Sequence, residues 1–242
     1  MAKAFYHTRL SNWLVTSLVL GVCLCLASCQ GLGDDSRHPV VSYNSDGAEK
    51  WGYITEGGKL AIPCEFNSAS SFSNNRAIVT VAGGEKYQYA IIDPDGNTIR
   101  LMDPDVAIVH PYQDGLARAN VGGKRTFHSQ ISGGLWGYLD EDGDWQIPPT
   151  ISIDSSKGDS QMYGIFLFSG GDFREGRAMS QDTDGWVFID TNGRIVSDSY
   201  YYLSPFKNGV TEVAKGNLED VEWIYINRQG KVLWPPTPAS QK

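Results

Sequence analysis

The chain has 242 residues, of which 41% are hydrophobic and 12% are aromatic, so it has enough apolar residues for a real core. Its 28 acidic and 20 basic residues give a formal charge of −8. That balance argues against a nucleic-acid partner, which requires clustered positive charge.

The first 28 residues have the three parts of a signal peptide. Lys3 and Arg9 form a basic region without an acidic residue, and residues 14–26 form an apolar stretch. This stretch is too short and wrongly flanked for a lasting transmembrane helix. It ends in the sequence LASC, in which the cysteine is Cys29. Cleavage before Cys29 would remove two basic residues and no acid, so the formal charge would become 18 − 28 = −10.

The run that ends at Cys29 resembles the lipobox of bacterial lipoproteins. By that resemblance, Cys29 carries a diacylglycerol on its sulfur, and the new amine usually receives an acyl chain such as palmitate. Two or three acyl chains hold a protein stably at a membrane, whereas one holds it only marginally. Gln30 follows the cysteine where an aspartate would favour the inner membrane, so the resemblance implies the outer membrane. Residues 29–38 would then be the lipidated cysteine and a polar tether. The alternative is an ordinary secretory signal with an incidental cysteine.

A short aromatic pattern recurs five times after residue 49, each time with a glycine seven residues after its first aromatic residue. A second pattern, close to Phe-x-x-Gly-x-Ala, alternates with the first. Two patterns that keep one register predict a tandem repeat. The aromatic copies begin at Trp51, Tyr89, Trp136, Trp186 and Trp223, and the second pattern begins at Phe72, Tyr112, Phe173 and Phe206.

Each repeat predicts three strands: an aromatic strand, a short strand after the glycine turn, and a third strand such as residues 117–121. Proline cannot donate to a β-ladder, so Pro63, Pro148 and Pro235 are expected to end the short strands. The aromatic strands are apolar on both faces, which predicts that both faces are covered.

The third strands alternate in character and predict a half-exposed face, on which Arg118 and Asn120 point to solvent. We expect a plain solvated face there, with a ligand-binding surface as the weaker alternative. The positions equivalent to these two are Ile78 and Thr80, Met179 and Gln181, and Glu212 and Ala214.

These units resemble WG-containing repeats, which are related to the KWG repeats of bacterial surface and secreted proteins. The family pattern is roughly a W-G-Y-I-D hairpin, a glycine turn, I-P-P and F-x-x-G-x-A-x-V, and it spans about residues 50–236. Ala90, Val187 and Ile224 replace the glycine after the first aromatic residue, so a close backbone approach cannot be needed in those copies. The resemblance implies a repeat protein with an interaction role, and it brings no catalytic motif.

The fold class expected is all-β, with tandem antiparallel three-stranded repeats over residues 39–236 and a short tail over 237–242. Two architectures remain open, a β-solenoid with free ends and a five-unit propeller-like ring. In the ring, residues 39–43 would dock on the last unit, supply its missing third strand and hide both edges.

Two insertions interrupt the period, at residues 122–134 and 151–172. The first gathers a cationic and aromatic cluster that we take as the candidate partner-binding site, because arginine and aromatic residues dominate interface hot spots. Its ligand is expected to be an acidic glycan or an acidic protein patch, and neutral elaboration of a loop is the alternative. The cluster consists of Lys124, Arg125, Phe127 and His128.

No motif in the chain indicates catalysis, a cofactor or a metal. Asp140, Asp142 and Asp144 resemble a calcium loop, but Trp145 and Ile151 stand where an EF-hand requires glycine and glutamate, so a hairpin turn is expected. Cys23 and Cys25 would be removed by cleavage and Cys29 would carry lipid, so Cys64 is the only cysteine of the folded domain and is expected to be a small packing residue. The function predicted is a non-catalytic, membrane-anchored binding or scaffolding module of the bacterial cell envelope. The alternatives are a propeller-like lectin and a polysaccharide hydrolase whose acid pair assembles in space.

Overall fold

The structure is a computed structural model that describes residues 37–84, 86–125, 131–153, 171–217 and 219–235. Contacts divide the chain into residues 1–32 and residues 33–242, and everything described belongs to the second unit. The predictions about the signal peptide, Cys29, Phe127 and His128 lie outside the described residues. Within the described residues, no helix has the length and apolarity needed to cross a membrane.

The described residues form nineteen β-strands and no helix, which confirms the all-β prediction. Sheet 1 contains β1 (His38–Tyr43), β2 (Glu49–Ile54) and β3 (Leu60–Phe66). Sheet 2 contains β4 (Ser68–Ala69), β5 (Ala77–Gly83), β6 (Lys86–Ile92) and β7 (Thr98–Leu101). Sheet 3 has the order β8 (Val106–Val109), β9 (Ala117–Val121), β12 (Leu135–Leu139) and β13 (Trp145–Ile151).

Sheet 4 pairs β14 (Ala178–Gln181) with β15 (Trp186–Ile189). Sheet 5 contains β16 (Tyr202–Leu203), β17 (Val210–Asn217), β18 (Asp220–Asn227) and β19 (Val232–Trp234). A separate two-stranded ribbon joins β10 (Lys124–Arg125) to β11 (Ile131–Ser132).

Each sheet combines strands from two successive repeats of the sequence. The third strand of one repeat pairs with the aromatic strand of the next, as Ala117 of β9 pairs with Leu139 of β12. Strand β1 has the same place before β2, where Val41 pairs with Trp51. The ring alternative would require residues 39–43 to dock on the last unit, whereas β1 pairs with β2 and completes sheet 1.

The aromatic strands present their two faces to two different neighbours. Trp186 and Phe188, the first and third positions of the pattern, pack in one core cluster with Ile224 of sheet 5. Ile189, the fourth position, packs with Tyr138 of sheet 3. The first and third positions thus face the following sheet, and the second and fourth face the preceding one. Coverage of both faces, as predicted, is confirmed for the aromatic strands of the inner sheets.

Most third-strand positions that were expected to face solvent are buried, which corrects the prediction of a half-exposed surface. The side chains of Arg118 and Asn120 are buried, and so are Ile78, Thr80, Met179 and Ala214 at equivalent positions, whereas Gln181 and Glu212 are partly exposed. The physical reason is that β9 lies in an inner sheet: Ala117 and Ala119 pack with Ile91 of sheet 2 on one face, and Arg118 pairs with Asp172 on the other. A third strand that was expected to lie at the surface therefore lies inside the array.

The prolines of the short strands do not all end them. Strand β3 continues through Pro63, and β13 continues through Pro148, so the prediction was wrong for these two, whereas β19 does end immediately before Pro235. Strands β3 and β13 are edge strands, and the ladder register shifts beside both prolines. Edge strands and bulges are the places where a β-sheet tolerates proline.

These proline bulges explain the glycine of the Trp-Gly pair. A Cβ atom on Gly137 would lie 2.6 Å from the carbonyl oxygen of Ile147, and one on Gly52 would lie 2.5 Å from that of Ile62. The bulged backbone therefore leaves room only for glycine. The three copies that lack this glycine carry Ala90, Val187 and Ile224 at the position, and Ala90 and Val187 are fully buried there.

The glycine turns are hairpins, as predicted. In the acidic turn, the Asp140 carboxylate accepts hydrogen bonds from the amides of Asp142 (3.0 Å) and Asp144 (2.9 Å). The same pattern organises the turn that begins at Asp190, where the acceptor serves the amides of Asn192 and Arg194. The aspartates therefore close the turns by bonding to their own backbone.

The last sheet differs from the inner ones because no described sheet follows it. Trp223 is 48% exposed and Tyr225 is 39% exposed, whereas Trp136 at the equivalent position of an inner sheet is 3% exposed. Among the described residues the array is therefore open at this end, which favours the solenoid over the ring.

Candidate ligand-binding cleft

A cleft of about 1080 Å³ runs across one side of sheets 1, 2 and 3. Each of the three sheets contributes backbone and side chains to its wall, so the cleft exists only because successive sheets stack. Its lining consists of Asn44, Ala48, Glu49, Lys50, Asn67, Ser68, Thr80, Tyr87, Tyr89, Pro104, Asp105, Val106, Ala107, Gly122, Gly123, Lys124 and Arg125.

Sheet 1 contributes a turn and a buried amide to the cleft. The carbonyl oxygen of the Asn44 side chain accepts hydrogen bonds from the amides of Asp46 (3.0 Å) and Ala48 (2.8 Å), which fixes the turn between β1 and β2. The Lys50 ammonium donates to Oδ1 of Asn67 at 2.8 Å, and this contact orients the Asn67 amide. Nδ2 of Asn67 is buried and has no hydrogen-bond partner among the described residues. A buried donor without an acceptor is energetically costly.

Sheet 2 contributes hydroxyl groups and aromatic rings. Ser68 pairs with Thr80 across β4 and β5, and their hydroxyl oxygens are 2.8 Å apart. Tyr87 is 69% exposed, and Tyr89, two residues further along β6, is half-buried. Alternate residues of a strand point to the same face, so the two rings lie along one line.

After β9 of sheet 3 the chain bends sharply and continues into the separate ribbon of β10 and β11. The amide of Gly122 donates to the carbonyl of Asp105 at 2.9 Å, and the amide of Gly123 donates to the side chain of Asn120 at 3.0 Å. A Cβ atom on Gly123 would lie 2.3 Å from that same Asn120 oxygen, so only glycine fits in the bend. The bend places Lys124 and Arg125 at the mouth of the cleft.

Arg125 joins the ribbon to sheet 2. Its guanidinium lies 5.8 Å from the centre of the Tyr89 ring and donates to the Tyr89 hydroxyl, and its Nε donates to the carbonyl of Ala107 at 3.4 Å. A cation over an aromatic face is attracted by the ring quadrupole. Of the four site residues predicted from the sequence, the structure brings Lys124 and Arg125 into the cleft; Phe127 and His128 lie outside the described residues.

The charge of the cleft differs from that of the chain. Its lining contains three cations, Lys50, Lys124 and Arg125, and two acids, Glu49 and Asp105, which leaves a net charge of +1. The whole chain has a formal charge of −8. The cleft is therefore a locally cationic region of an acidic protein, and a negatively charged ligand is attracted to it.

A second polar cluster joins sheet 3 to the segment that precedes β14, and none of its members lines the cleft. The Arg118 side chain is fully buried; its Nε lies 3.1 Å from the Asp172 carboxylate, and its guanidinium lies 4.8 Å from the centre of the Trp136 ring. A nitrogen of its guanidinium also lies 3.2 Å from Nε2 of His110. A buried charge is tolerated when it is paired and hydrogen-bonded in this way.

Burial and the neighbouring Arg118 charge lower the pKa of His110 to about 3, so this imidazole is neutral at physiological pH. Burial raises the pKa of Asp172, although the adjacent Arg118 opposes the shift. The residues described in the structure include no group of three or more His, Cys, Asp or Glu side chains that could hold a metal ion. The cluster therefore has the contacts of a buried structural ion pair between β9 and the segment that precedes β14.

The sequence did not indicate the parts of the cleft that come from sheets 1 and 2. Lys50 lies in β2 and Asn67 directly follows β3, and both are distant in sequence from the loop of residues 122–134, as are Tyr87 and Tyr89. Only the pairing of third strands with later aromatic strands brings these segments together. The alternation of Thr80 with apolar neighbours was the one available signal, and Thr80 does line the cleft.

The model of the WG-containing repeat family matches residues 51–84 and 186–218 of this chain. The first match begins at the aromatic strand β2 and ends just after β5; the second begins at β15 and ends just after β17. A search of curated proteins gave no match. The two matched segments are thus the same structural unit, an aromatic strand followed by the strands that connect it to the next sheet.

Proposed function

We propose that this chain, two segments of which match the WG-containing repeat family, is a non-catalytic binding module of the bacterial cell envelope whose ligand is anionic. The observation that carries this proposal is the cleft, in which Lys124 and Arg125 stand beside two tyrosines on a chain of net negative charge. Binding sites are typically concave and contain a few placed polar groups. An acidic glycan or an acidic protein patch has the matching charge.

The test of the cleft is binding of the full chain, in detergent, to immobilised acidic oligosaccharides and acidic peptides. We expect the double variant Lys124→Ala/Arg125→Ala to bind at least ~10-fold more weakly than wild type, the equivalent of about 1.4 kcal/mol. The matched control is Lys59→Ala/Arg194→Ala, which removes the same two charges from exposed turns outside the cleft. Equal binding by both double variants would contradict the proposal.

We further propose that Cys29 anchors the module to the membrane, on the strength of the signal-like first 28 residues and the LASC sequence that ends at Cys29. The test compares wild type with Cys29→Ser in cells supplied with labelled palmitate. Wild type should take up the label and remain with the membrane fraction, and the variant should do neither. A wild-type chain that is unlabelled and soluble would refute the anchor.

A lectin is the second function that a specific observation favours. Tyr87 is 69% exposed, and the cleft that it lines also includes Ser68 and Thr80, which carry hydroxyl groups, and Asn67, which carries an amide. An exposed ring provides an apolar face, and amides and hydroxyls provide hydrogen bonds that orient a sugar. If the ligand is a sugar, Tyr87→Ala should weaken binding and Tyr87→Phe should preserve it. A peptide held by charge alone would be insensitive to both changes.

A further inference from the structure

Sheet 5, at the open end of the array, has an exposed aromatic face. In the inner sheets the equivalent face is covered by the next sheet. In sheets 3 and 4 the first and third aromatic positions, Trp136 with Tyr138 and Trp186 with Phe188, are buried against the following sheet. In sheet 5 the same positions hold Trp223 and Tyr225, which remain 48% and 39% exposed. The residues are of the same kind, and only the neighbour differs.

The face extends over all four strands of sheet 5. Residues directly opposite each other in a β-ladder point to the same side. Trp223 is opposite Ala214, Ala214 is opposite Tyr202, and Tyr225 is opposite both Glu212 and Trp234. The Tyr202 and Trp223 rings are in edge contact at 5.1 Å. The face is therefore rich in aromatic side chains; Glu212 is its acidic member and accepts a hydrogen bond from the Tyr225 hydroxyl at 2.8 Å, and Trp234 at its margin is 62% exposed.

Repeat arrays normally end in a polar cap, because an apolar face at the end is a liability in water. Clustered exposed apolar side chains mark interaction sites. Sheet 5 has no such polar cap among the described residues: its free face presents Trp223, Tyr225 and Trp234. The internal interfaces of the same molecule show which kind of surface packs on such a face.

In each internal interface, the first and third positions of one aromatic strand pack against the second and fourth positions of the next. Ile224 and Ile226 fill this role against sheet 4. Sheet 1 has no preceding sheet among the described residues, so the equivalent face of β2 lies at the other end of the array. On that face Ile54 is partly exposed, whereas Gly52 is buried beneath the bulge of β3. Val40 of β1 is opposite Gly52 and adds to that face.

We propose that the chain associates head to tail with a second copy of itself, the aromatic face of sheet 5 packing on the Gly52 and Ile54 face of sheet 1 in the partner copy. The contact would continue the stacking already present between neighbouring sheets. An interface of this type joins two different surfaces, so it is heterologous and can add further copies unless the array closes. The proposal is independent of the ligand-binding cleft and of its ligand.

The direct test places a photo-crosslinking residue, p-benzoylphenylalanine, at position 225 of the full chain in detergent. A mixture of isotopically light and heavy chains distinguishes crosslinks between copies from crosslinks within one. We expect mixed light–heavy adducts whose partner peptide falls within residues 38–54. A matched probe at position 87, an exposed tyrosine in sheet 2, should give no such adducts.

Adducts to residues 220–235 of a second copy would overturn the proposal, because they indicate tail-to-tail contact. Adducts confined to one chain, or formed only with another protein, would also overturn it. So would the absence of adducts combined with a monomeric mass of the chain at every concentration. Sedimentation provides a second measurement. The dissociation constant should rise at least ~10-fold in Tyr225→Lys and stay unchanged in Tyr87→Lys, since only the former loses an aromatic contact of the interface. Equal constants in the two variants would also refute it.

Discussion

Sheets 4 and 5 contain the same aromatic pattern in opposite surroundings. Trp186 and Phe188 of sheet 4 are buried because sheet 5 covers them, whereas Trp223 and Tyr225 of sheet 5 are about half exposed because no described sheet follows. The two pairs have the same positions, strand pairing and chemical type. The repeat motif therefore supplies an apolar aromatic face on every sheet. Where another sheet covers this face it stabilises the fold, and where none does it remains available for association.

The largest expected contrast is between alanine substitutions at the first aromatic position. Trp186→Ala should lower the free energy of unfolding by about 3–5 kcal/mol, because it leaves a large cavity between sheets 4 and 5. Trp223→Ala should cost about 1 kcal/mol or less, because half of its ring is already in water. Urea unfolding followed by circular dichroism measures both. Similar costs at the two positions would mean that the last sheet is covered like the inner ones.

The second contrast compares the stability contributed by a buried ion pair with that contributed by an exposed one. Arg118→Ala leaves the Asp172 carboxylate without its partner in a buried site, and we expect a loss of about 3–5 kcal/mol. Arg100→Ala breaks an exposed pair with Asp144 and should cost about 0–1 kcal/mol. The measurement is again the midpoint and slope of urea unfolding. If both variants unfold like wild type, the buried pair does not contribute to the free energy of unfolding.

The third prediction concerns the copies that keep the Trp-Gly pair. Gly137→Ala should cost about 1–3 kcal/mol, because the new methyl group would overlap the bulged backbone at Ile147. The control is Gly57→Ala, where the nearest atom to a new Cβ is the Thr55 hydroxyl at 3.8 Å. Thermal unfolding of the two variants decides the point, and a Gly137→Ala protein as stable as the control would remove the steric explanation of the motif.

The sequence predicts the strands well and their partners less well. The aromatic period predicted each aromatic strand and each glycine turn, because these depend on local alternation and on turn residues such as Asp140 and Gly143. It did not predict that a third strand pairs with the next aromatic strand, so Arg118 was expected in solvent and is instead buried. Because the strand pairing was not predicted, the cleft was not predicted either, since its walls come from three sheets. Of its lining residues, only Lys124 and Arg125 were predicted as site residues.

The smallest expected effect is a pH dependence that belongs to His110. The pKa of this residue is about 3 in the folded chain and about 6.5 when unfolded. The unfolded chain therefore binds more protons between these values, so the stabilisation is complete above pH 6.5 and is lost as the pH falls. The slope due to this one group is at most about 1.4 kcal/mol per pH unit.

The matched variant for this prediction is His110→Gln, which keeps a hydrogen-bond acceptor for Arg118 and cannot titrate. Between pH 7 and 5, the unfolding free energy of wild type should fall more steeply than that of the variant. Comparison of the two cancels the contribution of the carboxylates that both chains share. Parallel pH profiles would show that His110 is not held neutral by its surroundings.

The most direct test of the open, adhesive end is oxidative footprinting of the tryptophans at increasing concentrations of the full chain. At the lowest concentration Trp223 and Trp234 should be modified readily, while Trp136 and Trp186 stay protected by the sheets that cover them. As the concentration rises, Trp223 should become protected and Trp186 should not change, because head-to-tail contact covers only the free face. Protection of Trp223 equal to that of Trp186 at every concentration would contradict the account, because it would place a covering element of the same chain over the last sheet.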